Sequence, residues 1–347
     1  MKKLFIISNE SILSHQGNFF CDNIDTKSIT EGLSNQFETY LIARKSNKSR
    51  FHKINFNNIK TYSFILTFLF EIIKTFNERN CKYLVISISP YTFFASVLIK
   101  LFNKKSIVYL RSDGYGEYSS ILGFIGPAIY HCMFSIVTRI CSLISCRTYI
   151  LRGKKGHILS PSQINNSWLI DKKKEEDIQS AQTRLLYVGR IRVEKGIFSF
   201  LKIFKQKKNN DIFTIVGAEK ANTNKIHQED VKVCEIETNE ERLIKIYDQN
   251  HIFVLPSFTE GHPMVLLESL SRLRPVIIFP EIKHVIGNKK GIFVANRNSK
   301  SFFETVNYIK QNYKNIQKDM EQNQLPTKSK FIKELGNLML NSEHTTK

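Results

Sequence analysis

Cysteine is sparse in this sequence and none of it is arranged for cross-linking or metal. The six residues are Cys21, Cys81, Cys132, Cys141, Cys146 and Cys234, with no C-x-x-C pair among them. The closest two, Cys141 and Cys146, lie in an apolar run, so free, buried thiols in a reducing cytosol are expected. No D-x-D motif and no Cys/His cluster offers a divalent cation a place, and no metal is expected. No Gly-Lys-Ser/Thr follows a glycine loop, which excludes a P-loop. The opening MKKLFIISNE has only four apolar residues before Ser8, too few for a signal peptide, and reads as a first strand. No repeat of about 20 to 50 residues is present. No helix-turn-helix, zinc-finger or aromatic RNA-binding signature supports nucleic acid as a partner. Acidic residues are also scarce, 31 against 51 basic ones, and the formal charge of +20 calls for an anionic partner.

What is present suits a folded protein of two domains. The chain has 347 residues, 42% hydrophobic and 24% charged, enough for two separate cores. Strands are expected at Phe37 to Ala43, Lys82 to Ser89 and Ser106 to Arg111, with helices at Asp25 to Asn35, Ser63 to Asn77 and Thr92 to Asn103. This βαβ pattern argues a parallel sheet covered on both faces. Ile121 to Ile144 is apolar enough to suggest a membrane span but is interrupted by Gly123, Gly126, Pro127, His131 and Arg139. A buried or membrane-facing helix from about Pro127 to Ser145, followed by a strand at Arg147 to Leu151, is expected instead. Ser160 to Thr183, with its mixed charge run DKKKEED, reads as an interdomain linker. Strands then recur at Arg184, Asp211, Val231, Ile252, Pro275 and Gly291, a doubly wound pattern with ligands at the carboxyl ends. A helix at Ser301 to Asn312, a polar break through Pro326 and a last helix around Phe331 to Met339 complete the chain, with fraying from Asn341 onward.

Two stretches carry chemistry. In FVLPSFTEGHPMVLLE, Phe253 to Glu268, a buried strand ends at Pro256, a tight loop carries Glu260, and a helix begins near Pro263 with Glu268 in its second turn. Unpaired amides at such a helix start attract phosphate. Two carboxylates beside an anion site make sense only if they accept hydrogen bonds from neutral hydroxyls, as the ribose and hexose of a sugar nucleotide provide. Upstream, RLLYVGRIRVEKGIFSFLKIF places Gly189 at a strand end and Arg190 and Lys195 in the loop before a helix. A guanidinium fork and a flexible ammonium on that loop suit a diphosphate.

Taken together, GRIRVEKG and EGHPMVLLE resemble the retaining glycosyltransferases of the group 1, or family-four, type, over roughly Thr183 to Asn296. The resemblance implies an α/β protein of GT-B fold, two doubly wound Rossmann-like domains with a cleft between them. The N-terminal, acceptor-side domain would span 1–165 and recover a return helix at 327–340; the sugar-nucleotide domain would span 183–325. The resemblance further implies that Arg190 and Lys195 grip the donor diphosphate, that Glu260 meets the donor sugar and Glu268 the ribose. Gly261, His262, Pro263, Met264 and Val265 would supply backbone amides after the turn at Gly189. Position 262 is commonly phenylalanine in the family and is His262 here. The implied activity is transfer of a sugar, with retention, from a nucleotide-sugar donor to a hydroxyl acceptor, a lipid-linked (polyprenyl-linked) or cell-surface glycan precursor.

In RSDGYGEY, Asp113 fits an acceptor-orienting catalytic role and Arg111 a phosphate contact; a plain turn in which the two pair with each other fits equally. Ala43 to Lys60 holds Arg44, Lys45, Lys48, Arg50, Lys53 and Lys60 and no acid, so an anionic membrane surface is an expected partner and the inner membrane face an expected location. Two other readings stay open: a sugar-nucleotide epimerase on the same fold, and a non-catalytic basic binding protein.

Overall fold

The computed structural model describes residues 1–172, 174, 178, 182–218, 226 and 228–341. The chain forms two compact units, one of Met1–Pro161 with the segment from Thr327 onward, the other of Ser162–Pro326.

The first unit runs β1 (Lys3–His15), β2 (Asn18–Cys21), α1 (Ile24–Leu33), β3 (Glu38–Ser46), β4 (His52–Ile54), β5 (Ile59–Tyr62), α2 (Ile65–Lys74), β6 (Cys81–Ile86), α3 (Pro90–Leu101), β7 (Ser106–Leu110), α4 (Gly114–Leu122), α5 (Gly126–Ile140), β8 (Ser142–Ser145) and β9 (His157–Ile158). Strands β5, β3, β1, β6, β7, β8 and β9 lie side by side and parallel. β1 extends past β6: beyond an irregularity between Ile7 and Ser11 it stays paired with β3 as far as Leu13–Ser46, and β2 folds back antiparallel on its end, pairing Phe20 with Leu13. Because both faces of a parallel sheet are covered, its strands read as apolar runs, and Leu4 to Ile7 are all buried. Alternate residues feed different cores. Leu4 and Ile6 pack towards α1, and Phe5 and Ile7 pack with Phe68 of α2, Ile99 of α3 and Phe134 of α5.

The second unit runs α6 (Asn166–Leu169), β10 (Arg184–Val188), α7 (Ile197–Phe204), β11 (Ile212–Ala218), β12 (Val231–Glu235), α8 (Glu240–Asp248), β13 (Ile252–Leu255), α9 (Met264–Ser271), β14 (Val276–Ile278), β15 (Ile292–Val294), α10 (Ser299–Gln311) and α11 (Tyr313–Met320). Its six strands are parallel in the order β12-β11-β10-β13-β14-β15. The chain then enters α12 (Lys328–Asn341), whose Phe331, Leu335 and Met339 pack against the α1 side of the first sheet.

Three expectations are corrected. Arg147 to Leu151 is not a strand: α5 ends at Ile140, the strand is Ser142–Ser145, and Thr148–Leu151 is a single 3-10 turn. Leu143 and Ile144 sit beside Val108 and Tyr109, whereas the Ser145 hydroxyl donates to the Arg147 carbonyl at 2.9 Å and bends the chain away. The stretch from Ser160 to Thr183 does more than connect: Ile164, Trp168 and Ile178 belong to the core of the second unit. Much of the charge run lies outside the described residues, as does the expected fraying beyond Asn341. Of the six thiols, all unpaired, Cys21 and Cys146 are buried but Cys132 is exposed.

Candidate functional site

In the second unit the chain order reverses between β10 and β13, which are adjacent. Open parallel sheets bind ligands at their carboxyl ends beside such a reversal. The loops leaving those two strands are the stretches from Gly189 to Gly196 and from Pro256 to Pro263. They touch directly: Gly196 has φ +67° and a side-chain carbon added there would stand 1.9 Å from the Pro256 carbonyl oxygen. Glycine alone tolerates both conditions. The Phe258 amide donates to the Glu194 carbonyl at 2.9 Å and locks the loops together.

Lys195 closes a 3-10 turn, Val193–Lys195, and its Nζ lies 2.6 Å from Glu260 Oε1. The Ser257 hydroxyl donates to the same oxygen at 2.6 Å. The backbone of Glu260 is fixed by the ring of His284, whose Nε2 is 2.7 Å from its carbonyl oxygen. Arg297 braces the second loop, donating to the Pro256 carbonyl at 3.1 Å while its guanidinium lies between the rings of Phe258 and Phe279, 4.2 and 4.3 Å from their centres. Arg190 is exposed, and its side chain makes no hydrogen bond or ion pair among the described residues; only its carbonyl is engaged, by the Tyr187 hydroxyl at 2.9 Å.

After Gly261 and His262 the chain enters α9 at Met264 and Val265, with Pro263 as the capping residue and no side chain bonded to the first-turn amides. Those amides give the helix start a partial positive charge open to an anion. One turn further on, Glu268 accepts a hydrogen bond from the buried Tyr247 hydroxyl, 2.9 Å from Oε2. Burial pushes the Glu268 carboxyl up to about 7, against the opposing pull of that hydrogen bond. The site thus offers cationic groups and helix-start amides together with two carboxylates, Glu260 in contact with Lys195 and Glu268 one turn into α9, which matches a diphosphate flanked by polyols.

The structure brings Lys195 and Glu260 into contact, puts Gly189, Arg190, Gly261, His262 and Pro263 on the same two loops, and places Met264 and Val265 in the first turn of α9. Asp113 belongs to the first unit, where it caps α4 by accepting from the Tyr115 amide at 3.2 Å and pairs with Arg152 at 3.3 Å. It does not pair with Arg111. Ser257, His284, Arg297 and Tyr247 were not legible as site residues. Ser257 precedes Glu260 by three positions, a weak signal, and the others come from distant parts of the chain. Among the described residues no group of three or more His, Cys, Asp or Glu side chains could hold a metal ion.

Residues 170–325 match the family of glycosyl transferases group 1. No curated protein matches the chain. Among solved structures, the chain is similar to sucrose-phosphate synthase from Thermosynechococcus elongatus, at 13% identity and a TM-score of 0.70, with all of both chains covered. It is similar to HepE from Anabaena in complex with UDP and glucose, at 11% identity and TM-score 0.64, covering 98% of this chain and 100% of that one. It is also similar to an α,α-trehalose-phosphate synthase (UDP-forming) from Burkholderia xenovorans in complex with glucose-6-phosphate, at 8% identity and TM-score 0.63, with 98% and 100% covered. At such identities the likenesses speak for the fold alone, and the family match spans the loops that hold Lys195 and Glu260. Residues 170–325 thus match the group 1 glycosyl transferases, and the chain as a whole has the GT-B fold.

Proposed function

We propose that the protein transfers a sugar, with retention, from a nucleotide-sugar donor to a hydroxyl of a lipid-linked or cell-surface glycan precursor, and that the donor lies across the loops of the second unit. The observation that carries this reading is the junction of Lys195, Glu260 and the uncapped start of α9 at the chain reversal. Lys195, Arg190 and the amides from Gly261 to Val265 hold the diphosphate; Glu260 accepts from the donor sugar, and Glu268 from the ribose. The acceptor oxygen bonds to the anomeric carbon as the bond to the phosphate oxygen breaks, on the same face. The acceptor proton passes to that departing phosphate oxygen, so no protein nucleophile is needed. Lys195 and Arg190 stabilise the charge that develops there. Asp113 is the acceptor-side candidate, and an acceptor hydroxyl would share its carboxylate with Arg152. Six unpaired thiols accord with a cytoplasmic setting. Release of nucleoside diphosphate only when acceptor is present tests the reading against an epimerase or a plain binding protein. Acceptor-independent release, or none with any nucleotide sugar, overturns it.

Two consequences are measurable. With Arg190 and Lys195 as the cations, transfer proceeds in excess chelator; loss of activity restored by magnesium or manganese contradicts this. The second concerns pH. The Glu268 carboxyl, raised to about 7, is protonated below that value and then accepts ribose hydrogen bonds poorly. Affinity for a nucleotide sugar, whose diphosphate does not titrate in this range, therefore rises with pH through about 7. It falls by up to about tenfold per pH unit on the acid side, the limit for one linked proton. Calorimetric titration between mildly acid and mildly alkaline pH should show that slope in wild type and a flat profile in Glu268→Gln. A slope that survives the substitution removes Glu268 from the ribose.

A further inference from the structure

The outer layer of the first unit is apolar where water would be expected. On α2 and the residue before it, Phe64 is 74% and Leu66 76% exposed, and Leu101 at the end of α3 is 72% exposed. Ile121 is 73% exposed and Phe124, in the turn between α4 and α5, 93%. α2 packs on α3, α3 on α5 and α5 on α4, so these residues lie on neighbouring elements of one helical layer. Large apolar side chains exposed together on neighbouring elements of a soluble fold mark a surface that meets a partner.

The segment Gly114–Ile140 is long and apolar enough to cross a membrane, with only 28% of its most apolar stretch buried. It does not run straight. The chain turns at Gly123, where φ is +63°, and reverses into α5. Gly126 lies against the Tyr118 carbonyl, 2.0 Å from where a side-chain carbon would sit. The ring of Tyr115 meets those of Tyr130 and Phe134 at 4.9 and 5.8 Å, so α4 lies back along α5 as a hairpin. The inner side of α5, with Tyr130, Phe134 and Val137, is part of the core. A hairpin with one side built into a folded unit lies on a bilayer and does not span it.

Charge selects the partner. α2, α3 and α5 carry Lys74, Lys100 and Arg139 and a single acid, Glu71, which is buried and paired with Lys60 and Lys74. Lys105 adds an exposed cation beyond α3, and Glu117 on α4 is the exposed acidic exception. Two copies meeting through this face would bring together chains of formal charge +20 each, whereas an anionic bilayer attracts it. The basic run from Ala43 to Lys60 contributes less than its composition suggested. Arg44 is stacked on Tyr91, Arg50 is paired with Asp22 and Lys60 with Glu71, leaving Lys45, Lys48 and Lys53 exposed.

We propose that the face formed by α2, α3 and the α4–α5 hairpin docks on an anionic lipid bilayer, with Phe124 at the hairpin tip in the headgroup boundary. This deepens the proposed function, resting on it only for the purpose of docking, which is to reach a lipid-linked acceptor. Full-length protein is co-sedimented with vesicles of phosphatidylglycerol and phosphatidylcholine, or of phosphatidylcholine alone. Binding to the first, weaker binding to the second and release by high salt are expected. Leu66→Asp and Phe124→Asp, both at exposed positions, should each lower the partition coefficient by about tenfold or more. Phe124→Trp should give emission quenched by brominated phosphatidylglycerol. No binding of wild type to anionic vesicles at low salt, an unchanged partition for both Asp variants, or an unquenched Trp overturns the proposal. So does a dimer in sedimentation velocity that the same Asp variants dissociate, since the face then belongs to a second copy. Nucleotide-sugar binding is titrated in parallel without vesicles: its absence with vesicle docking intact counts against the transferase reading alone, and the reverse counts against this face alone.

Discussion

Lys195→Ala is expected to lower kcat for sugar transfer by about a hundredfold or more, the usual loss when one contact to a developing oxyanion is removed. The side chain stands at the junction of both site loops, and its ammonium now bonds to Glu260. In the proposed complex it meets the diphosphate, where negative charge grows as the glycosidic bond breaks. Because that charge is greater in the transition state than in the bound donor, kcat should fall more than KM rises. The fold should persist. Glu260 keeps the Ser257 hydroxyl, the Phe258–Glu194 backbone bond still joins the loops, and the stability cost stays within about 2 kcal/mol. Initial rates with a competent donor and acceptor, beside a thermal melt, check both halves. Turnover near that of wild type with Lys195 gone would remove it from the donor clamp.

Arg272→Met should produce the largest loss of stability, about 3–5 kcal/mol, because breaking a buried ion pair on one side leaves Asp248 with only the more distant Arg274, at 3.9 Å, and three buried carbonyls without their donor. The Arg272 guanidinium is almost wholly buried at the end of α9. It donates to both Asp248 oxygens, at 2.9 and 2.6 Å, and to the carbonyls of Trp168, Ile170 and Asp171, at 3.1, 2.7 and 2.8 Å. Methionine fills part of the volume but satisfies none of these acceptors. A fall of the second unit's melting point on the order of 10 °C is expected for a unit of this size. A shift of only a degree or two would mean that water replaces the guanidinium and that the clamp is weaker than its geometry implies.

The same residue marks where sequence reading stops. Apolar runs such as Phe253 to Leu255 announce buried parallel strands, and a glycine with charged neighbours at a strand end announces a ligand loop; both signals are local. The segment from Ser162 to Asp171 has no such pattern, because what fixes it is a guanidinium about a hundred positions downstream. β1 differs again: its continuation past Ser8 is largely polar, because beyond an irregularity it keeps only β3 as a parallel neighbour and takes the antiparallel β2 as its other one. At the site, Glu260, Lys195 and Arg190 stand beside glycines at strand ends, and that made them readable. Ser257, His284 and Arg297 act through contacts that only folding creates. Asp113 looked catalytic for a reason that capping a helix also satisfies.

On the proposed function, the ion pair between Lys195 and Glu260 bears on how the site is freed for its next cycle. In the empty site the two charges satisfy each other. On the proposed reading an intact donor separates them while giving each a substitute, phosphate oxygens for the ammonium and sugar hydroxyls for the carboxylate. Once the sugar has left, the nucleoside diphosphate still engages Lys195 but offers Glu260 nothing, and a largely buried carboxylate with no cationic partner, held by the Ser257 hydroxyl, faces an added phosphate charge. Re-forming the pair relieves that conflict only by letting the phosphate go. The contact that occupies the vacant site would then act as a built-in competitor of the product, favouring departure of the spent nucleotide over its retention.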